Sequence, residues 1–297
     1  MSLRDWLWVI LLGTIWGTSF LFNGILIREI GPLWVSAGRV AIGALGCWAF
    51  FIALGKRLPT DKWLYLHFLL LGILSYTIPF ALFPLSQEHL AAGVAAIVNA
   101  MTPIMTVIVS HFWPGGEKAT WNKSFGVLAG FTGVALLASP ALAAGGSSQL
   151  WAIAACLTAT FCYAVSLNYT RMLGTIDASV FAACAMTGAT IAAIPLAFFA
   201  HGVPHLATVE GWASILGIGL LATAFAFQIM YRILPRIGAT NFSVVTFIAP
   251  VSAIILGFFF LDEAVEPVHV FGMLGIFIGL LLIDGRIVRR LRGKAYV

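Results

Sequence analysis

Charge is what this chain has least of. Lys, Arg, Asp and Glu make up 9% of its 297 residues, against 61% hydrophobic residues and a mean hydropathy of +1.02. An ordinary soluble domain carries roughly 25% charged residues, so a folded globule in water, and with it a soluble enzyme, is excluded. Enzymatic motifs are absent as well: the chain has no Gly-x-Ser-x-Gly elbow, no P-loop lysine, no His-Glu-x-x-His pair and no Cys-x-x-Cys. Without a P-loop it does not hydrolyse ATP, so any transport it performs runs on a gradient. The four cysteines, Cys47, Cys156, Cys162 and Cys184, lie within apolar runs and form neither a disulfide framework nor a metal-ligand spacing. They read as small apolar side chains, and neither a metal nor a cofactor is called for.

What is present is apolar length. One spanning helix needs about 20 apolar residues and a short loop adds roughly ten, which leaves room for about ten spans and little else. Charged or Gly/Pro-rich breaks divide the chain into ten candidates: 6–27, 33–54, 63–85, 91–112, 122–140, 150–170, 178–200, 211–233, 240–261 and 268–288. These runs are too long and too uniformly apolar for barrel strands, which alternate at period two. The fold class expected is an all-α membrane protein. The first span is too long for a signal-peptide core and lacks a small-x-small cleavage site, so it should stay as an anchor.

The few charges are sorted by loop. With the N-terminus placed in the cytoplasm, every basic residue except Arg28 and Arg39 falls on the inner side, including a tail of Arg286, Arg289, Arg290, Arg292 and Lys294. Outer loops instead carry Glu29, Glu88, Glu210, Asp262, Glu263 and Glu266. Because Lys and Arg concentrate in loops that are not translocated, both termini are expected in the cytoplasm, in a multi-pass inner-membrane protein. The net charge of +5 then describes a basic rim facing anionic lipid and implies no nucleic acid.

The two halves repeat one another. Trp8, Arg28 and Gly31 lie over Trp151, Arg171 and Gly174. Gly72, Phe80, Ala92 and Pro103 lie over Gly219, Phe227, Ala239 and Pro250. Glu117, Gly126 and Gly133 lie over Glu263, Gly272 and Gly279, all at nearly equal offsets. The expected units are a first five-helix repeat at 1–145 and a second at 146–297 that carries the basic tail. Five is odd, so the second repeat must enter from the opposite side. Inverted repeats are a signature of secondary transporters, whose halves exchange unlike conformations around a central site.

Trp16-Gly17-Thr18-Ser19-Phe20 in the first span resembles the entry motif of the EamA-type drug/metabolite transporter family. The stretch from Ala91-Ala92-Gly93 to Thr102-Pro103, followed by Glu117, Gly126 and Gly133, is similar to that family's fourth and fifth spans, and Ala249-Pro250 through Glu263, Gly272 and Gly279 repeats the pattern. The likeness covers essentially the whole chain as two EamA units. Pro114-Gly115-Gly116 stands where the family usually has Leu-Gly. Within the family the chain most resembles bacterial exporters of amino acids, including aromatic ones. That resemblance implies export of small amphipathic metabolites by alternating access. The alternatives are a proton-coupled multidrug or lipophilic-cation exporter and, in another class, a passive channel.

Between Asp5 and Glu29 the first span holds no acid, so nothing in it can act as an intramembrane proton-carrying carboxylate. Arg39, within the second span, either pairs with an acid or carbonyl near the outer mouth or snorkels as an anchor. Glu88 reads as a solvated loop acid, and Glu117 and Glu263 as caps of the helices that follow them. Substrate recognition then falls to aromatic and uncharged polar groups. A site on the axis between the repeats should use corresponding positions: Phe20 with Tyr163, Tyr76 with Thr223, Phe80 with Phe227, and Asn99 with Thr246. Trp16 lies one turn before Phe20. These nine residues are the expected lining, against the plain alternative that they only pack helices together. Pro79, Pro103 and Pro250 are the expected hinge or gating elements. Gly126 with Gly130, and Gly275 with Gly279, suit close helix packing, between the repeats or between protomers. The partners expected are a small-molecule substrate and membrane lipid, with a monomer as the working unit.

Overall fold

The computed structural model of the chain describes residues 2–174 and 176–284. They form ten apolar rods: α1 (Leu3–Ile30), α2 (Pro32–Ala53), α3 (Trp63–Gln87), α4 (Ala92–Phe112), α5 (Trp121–Ala144), α6 (Ser147–Met172), α7 (Ala178–His201), α8 (Val209–Ile237), α9 (Val245–Phe260) and α10 (Pro267–Asp284). Nine have the length and hydropathy to cross a bilayer, and α9 is shorter. Among the described residues there is no strand. The basic tail expected to mark the cytoplasmic face lies outside the described residues.

Local chemistry sets the helix ends. Ser2 and Asp5 form a reciprocal capping box at the start of α1. Thr120 and Thr208 accept from Lys123 and Gly211 at the starts of α5 and α8, and Asp177 accepts from Ser179 and Val180 at the start of α7. Gly145 closes α5 in the left-handed region, at φ 67°. Large apolar side chains such as Ile52, Phe131, Ile191 and Leu274 face outward, as they would toward lipid, while Trp63, Trp121 and Trp212 stand exposed at helix ends as an interfacial belt does.

The packing respects the duplication. Helix α1 packs on α9, as α6 packs on α4. Helix α2 packs on α8, as α7 packs on α3. The contact of α3 with α6 is matched by that of α8 with α1. The pairs α5–α10, α2–α7 and α4–α9 are each their own counterpart.

Glycine makes the α5–α10 seam. A Cβ on Gly126 would stand 2.6 Å from the Gly279 carbonyl oxygen, and one on Gly133 would stand 2.6 Å from that of Gly272. Both obstacles are backbone, so the helices approach this closely only without side chains there. The small-residue patterns therefore join the two halves of one chain.

Two pairs of helices are interrupted, α3 and α8 at corresponding places and α4 and α9 about one turn apart in register. In α3, Ile73–Thr77 winds as a wider π turn, and in α8 Gly217–Phe225 does the same. Pro79 follows the first of these and offers no N–H to the Ser75 carbonyl. Helix α4 breaks at Ala100–Met101, and the second piece starts at Thr102 with Pro103 in its first turn. In its counterpart the expected continuous span 240–261 is corrected. A short helix, Ala239–Phe242, is separated by a turn from α9, and Pro250 sits inside α9. The Asn241 side-chain amide donates to the Ile237 carbonyl at 2.8 Å. Such a local bond competes with helix continuation, and hydropathy alone does not register it.

Candidate functional site

Among the described residues, Arg39 is the one charged side chain that is buried. It sits two turns into α2, where an unpaired charge is unfavourable unless polar groups replace water. Its Nε donates to Thr223 Oγ1 at 3.1 Å and its Nη2 to Ser19 Oγ at 3.4 Å. The guanidinium carbon lies 3.7 Å from the centroid of the Phe80 ring, a cation–π contact. The ion pairs among the described residues, Lys56–Asp177, Lys123–Glu117 and Arg236–Asp5, all lie elsewhere. Both expectations for Arg39 are therefore corrected. It neither snorkels nor meets an acid, because α1, α3 and α8 enclose it and present hydroxyls and a ring face instead.

Those hydroxyls are placed by the broken helices. Thr223 lies in the π turn of α8, where its hydroxyl donates to the Ile218 carbonyl five residues back, at 2.8 Å, while accepting from Arg39. In α3, the corresponding turn exposes the Thr77 carbonyl, which accepts from Ser36 Oγ at 3.3 Å. The Thr77 hydroxyl donates in turn to the Ala189 carbonyl at 3.1 Å, and Ser75 and Ser166 hydroxyls bond to each other. The wide turns thus supply both polar groups and backbone carbonyls in the middle of the bundle.

From Phe80, which faces the cation, aromatic contacts extend outward. Tyr76 has its ring centroid 5.7 Å from that of Phe80 and 5.8 Å from that of Phe227, and Phe227 continues to Tyr231 at 6.0 Å. A second string runs from Phe20 to Phe83 at 5.6 Å and on to Tyr163 at 6.3 Å. Tyr163 packs between the apolar core around Ile97 and Met101 and that around Phe68 and Met186, and lies within electrostatic reach of Arg39. Of the nine residues expected to line a site, Phe80 and Thr223 touch the guanidinium, Tyr163 lies within its electrostatic reach, and Tyr76, Phe227 and Phe20 connect to it through one or two intervening rings.

The other three are placed differently. Trp16 meets Phe242 edge-on at 6.1 Å, on the side toward the α9 break. Asn99 ends the first piece of α4, and its Oδ1 is buried without a hydrogen-bond partner. Thr246 opens α9 and donates to its own Ser243 carbonyl. All three are half-buried and stand by the interruptions of α4 and α9 rather than on the guanidinium.

Polar residues that the sequence reading left without a role also meet inside. Asn23 Nδ2 donates to Gln87 Oε1 at 2.9 Å, and Gln87 Nε2 donates to the Phe20 carbonyl at 2.8 Å. Asn23 Oδ1 and Gln228 Nε2 are buried and unpartnered. An amide inside or at the end of an apolar run, which Asn99 also is, marks Asn23, Gln87 and Gln228 in the sequence.

At the two ends of the bundle the symmetric acids behave differently. Glu263 accepts from the Ala92 and Gly93 N–H groups at 2.7 and 3.4 Å. It therefore caps α4 of the other half and not the helix that follows it, a correction to the expected role. Glu117 instead pairs with Lys123 on the first turn of α5. It borders an open recess lined by Thr106, Ser110, Lys123 and Arg171. Glu88 is exposed, as a loop acid should be.

A bundle of apolar helices broken in pairs, with polar and aromatic groups gathered at the breaks, defines a multi-pass membrane protein of the transporter class. The chain belongs to the EamA-like transporter family, whose model matches residues 5–139 and again 150–284. It is 26% identical over 283 residues to an uncharacterized transporter of Archaeoglobus fulgidus, covering 93% of this chain and 98% of that one. It is 25% identical to a probable terminal-alkyne amino-acid exporter of Streptantibioticus cattleyicolor, covering 98% and 97%. A solved crystal structure shares the fold with a TM-score of 0.67 at 18% identity, over 98% of this chain and 99% of that one.

Proposed function

We propose that this membrane transporter exports small amphipathic metabolites, neutral and aromatic amino acids above all, from the cytoplasm by alternating access across the inner membrane. Both termini then face the cytoplasm and the two five-helix halves are inverted repeats. The observation that carries the reading is the convergence of the α3 and α8 π turns on an aromatic chamber. Broken helices at mid-membrane free backbone groups for a substrate, as transporter sites require. The S. cattleyicolor relative, named as an amino-acid exporter, supports the substrate class. The ends are joined differently, which supports the mechanism: Glu263 ties one half to the other at the outer end, whereas at the inner end its counterpart Glu117 stays with Lys123 and the halves are joined by the partly exposed pairs Lys56–Asp177 and Arg236–Asp5. Exchanging those two arrangements would open the site to the opposite side.

The only buried charge among the described residues is a cation, which disfavours lipophilic cations as substrates. Phe20, Tyr76, Phe80, Tyr163, Thr223 and Phe227 form the chamber, Trp16, Asn99 and Thr246 its approach, and Pro79, Pro103 and Pro250 the hinges. The test is counter-flow in liposomes with labelled amino acids and cationic drugs, at zero and imposed proton gradients. Saturable amino-acid exchange is expected, and non-saturating flux without exchange would instead identify a channel. Tyr76→Ala and Asn99→Ala are each expected to lower flux about tenfold at unchanged membrane expression. Normal flux in both would remove the site.

A further inference from the structure

The aromatic chamber contains a positive charge that the protein itself does not neutralise. Arg39 carries five N–H donors in a planar fork, of which two, one on Nε and one on Nη2, are used by Thr223 and Ser19. Among the described residues Nη1 makes no hydrogen bond, yet it is not one of the atoms sealed from all contact with open space. The residue keeps 8% exposure. The acids that could have balanced it are committed at the ends of the bundle: Asp5 to Arg236, Asp177 to Lys56, Glu117 to Lys123, Glu29 to Thr208 and Glu263 to Ala92.

Keeping one guanidinium in such a place is unfavourable unless an anion completes it. Hydroxyl dipoles and the Phe80 face lower that cost without removing it. The remaining donors are unused among the described residues and lie beside the Phe80 ring, which packs on Tyr76 and through it on Phe227.

We propose that Arg39 is the anion-binding group of the transport site, and that the substrate is a small monocarboxylate whose apolar body lies against Tyr76, Phe80 and Phe227. This rests on the transporter reading above and narrows it. A carboxylate fits the fork of a guanidinium through paired N–H···O bonds. A single cation among aromatic rings suits one carboxylate with an apolar body, whereas a phosphate dianion would need further positive charge. Among the described residues no second buried cation stands there. Nor does the chamber hold an acid to receive an ammonium group, so the amino group of an amino acid is met by carbonyls, hydroxyls and ring faces and contributes little selectivity. Recognition should then follow the carboxylate and the apolar body, with the amine dispensable.

The experiment uses matched ligands on the intact protein in liposomes and in detergent: phenylalanine and phenylalaninamide, 3-phenylpropanoate and 3-phenylpropanamide. Competition for counter-flow and the ligand-induced rise in Tm are both read. Each carboxylate is expected to bind about tenfold or more tightly than its amide, the size of a lost hydrogen-bonded ion contact. Arg39→Gln should abolish that difference, and Arg39→Lys should retain part of it. If Arg39→Gln fails to fold, the ligand pairs on the unaltered protein still decide. Amides that compete as well as carboxylates, or no binding by any of the carboxylates, would overturn the proposal. Binding of 3-phenylpropanoate without phenylalanine would uphold it while the amino-acid reading falls. Equal binding of phenylalanine and its amide, with phenylalanine still exchanged, would leave the amino-acid reading standing and sink this one.

Discussion

Thr223 is the residue on which most of the central geometry depends. It is fully buried, donates to a carbonyl five residues back and accepts from the guanidinium. Thr223→Val keeps the shape and removes both bonds, leaving a charged donor without its acceptor. A loss of about 1–3 kcal/mol is expected, read as a lower Tm in detergent, with Thr223→Ser restoring most of it. Unchanged Tm in the valine variant would mean Arg39 is held by other groups. Asp177, outside the spans, gives a pH-dependent case. Burial raises its carboxyl pKa, but the Lys56 ammonium and the Val180 and Ser179 N–H groups outweigh that and leave it below the usual carboxylate value. A lowered folded-state value means its contribution is present at neutral pH and disappears as the pH falls through that value. The Tm difference between the protein and Asp177→Asn should therefore shrink on acidification, and a constant difference would contradict the assignment. At this scale the sequence was informative about residue type only. An arginine in an apolar run announces a buried or snorkelling cation. Choosing between them requires knowing that Ser19 and Thr223, far apart in the chain, reach the same point.

Elements divide into those that hydropathy locates and those it does not. Nine helices lie within a few residues of their apolar runs, because a bilayer span is set by length and capping, and both are local. The π turns of α3 and α8 were not legible. Ile73–Thr77 and Gly217–Phe225 read as ordinary apolar helix, and only packing against α7 and α2 fixes the wider winding. The turn at 243–244 that parts Ala239–Phe242 from α9 was hidden too, because the local bond from Asn241 to the Ile237 carbonyl leaves no mark in hydropathy. The glycine seam is the opposite case, visible as spacing but not as to which helix it faced. There, Gly133→Val sets a side chain against the Gly272 carbonyl and the Ile276 N–H, so α10 should separate from α5 and the yield of monodisperse protein should drop several-fold. Gly130→Ala meets the flexible end of Ile104 instead and is expected to be tolerated far better. Size-exclusion profiles of the two variants check this, and equal yields would refute the seam.

Across the whole molecule, the duplication is matched by the packing at the main helix pairs, but not at α2–α3, whose counterpart α7–α8 barely touches, and not at Glu263 and Glu117. A proposed transporter with inverted halves needs such inequality, since identical halves would leave the site equally open or closed to both sides. Glu263→Ala removes two charge-assisted bonds to the start of α4 and should shift the population toward the outward-open form about tenfold. The reporter is Ser19→Cys in a protein whose four native cysteines are replaced by alanine, labelled from outside with a membrane-impermeant maleimide. Labelling that is no faster in the Glu263 variant would remove this contact from the gating scheme.

By itself the sequence determined that the chain lives in a membrane, that it is made of about ten apolar helices, and that it is built from two like halves. Those properties are sums over local residue preferences for water, lipid and helix ends, and they need no knowledge of neighbours. Tertiary structure alone decided where Arg39 points, which carbonyls the broken helices free, and which half Glu263 holds. These depend on groups brought together from distant parts of the chain, and in a segment where almost every residue is apolar, the pattern carries too little variation to encode which faces meet.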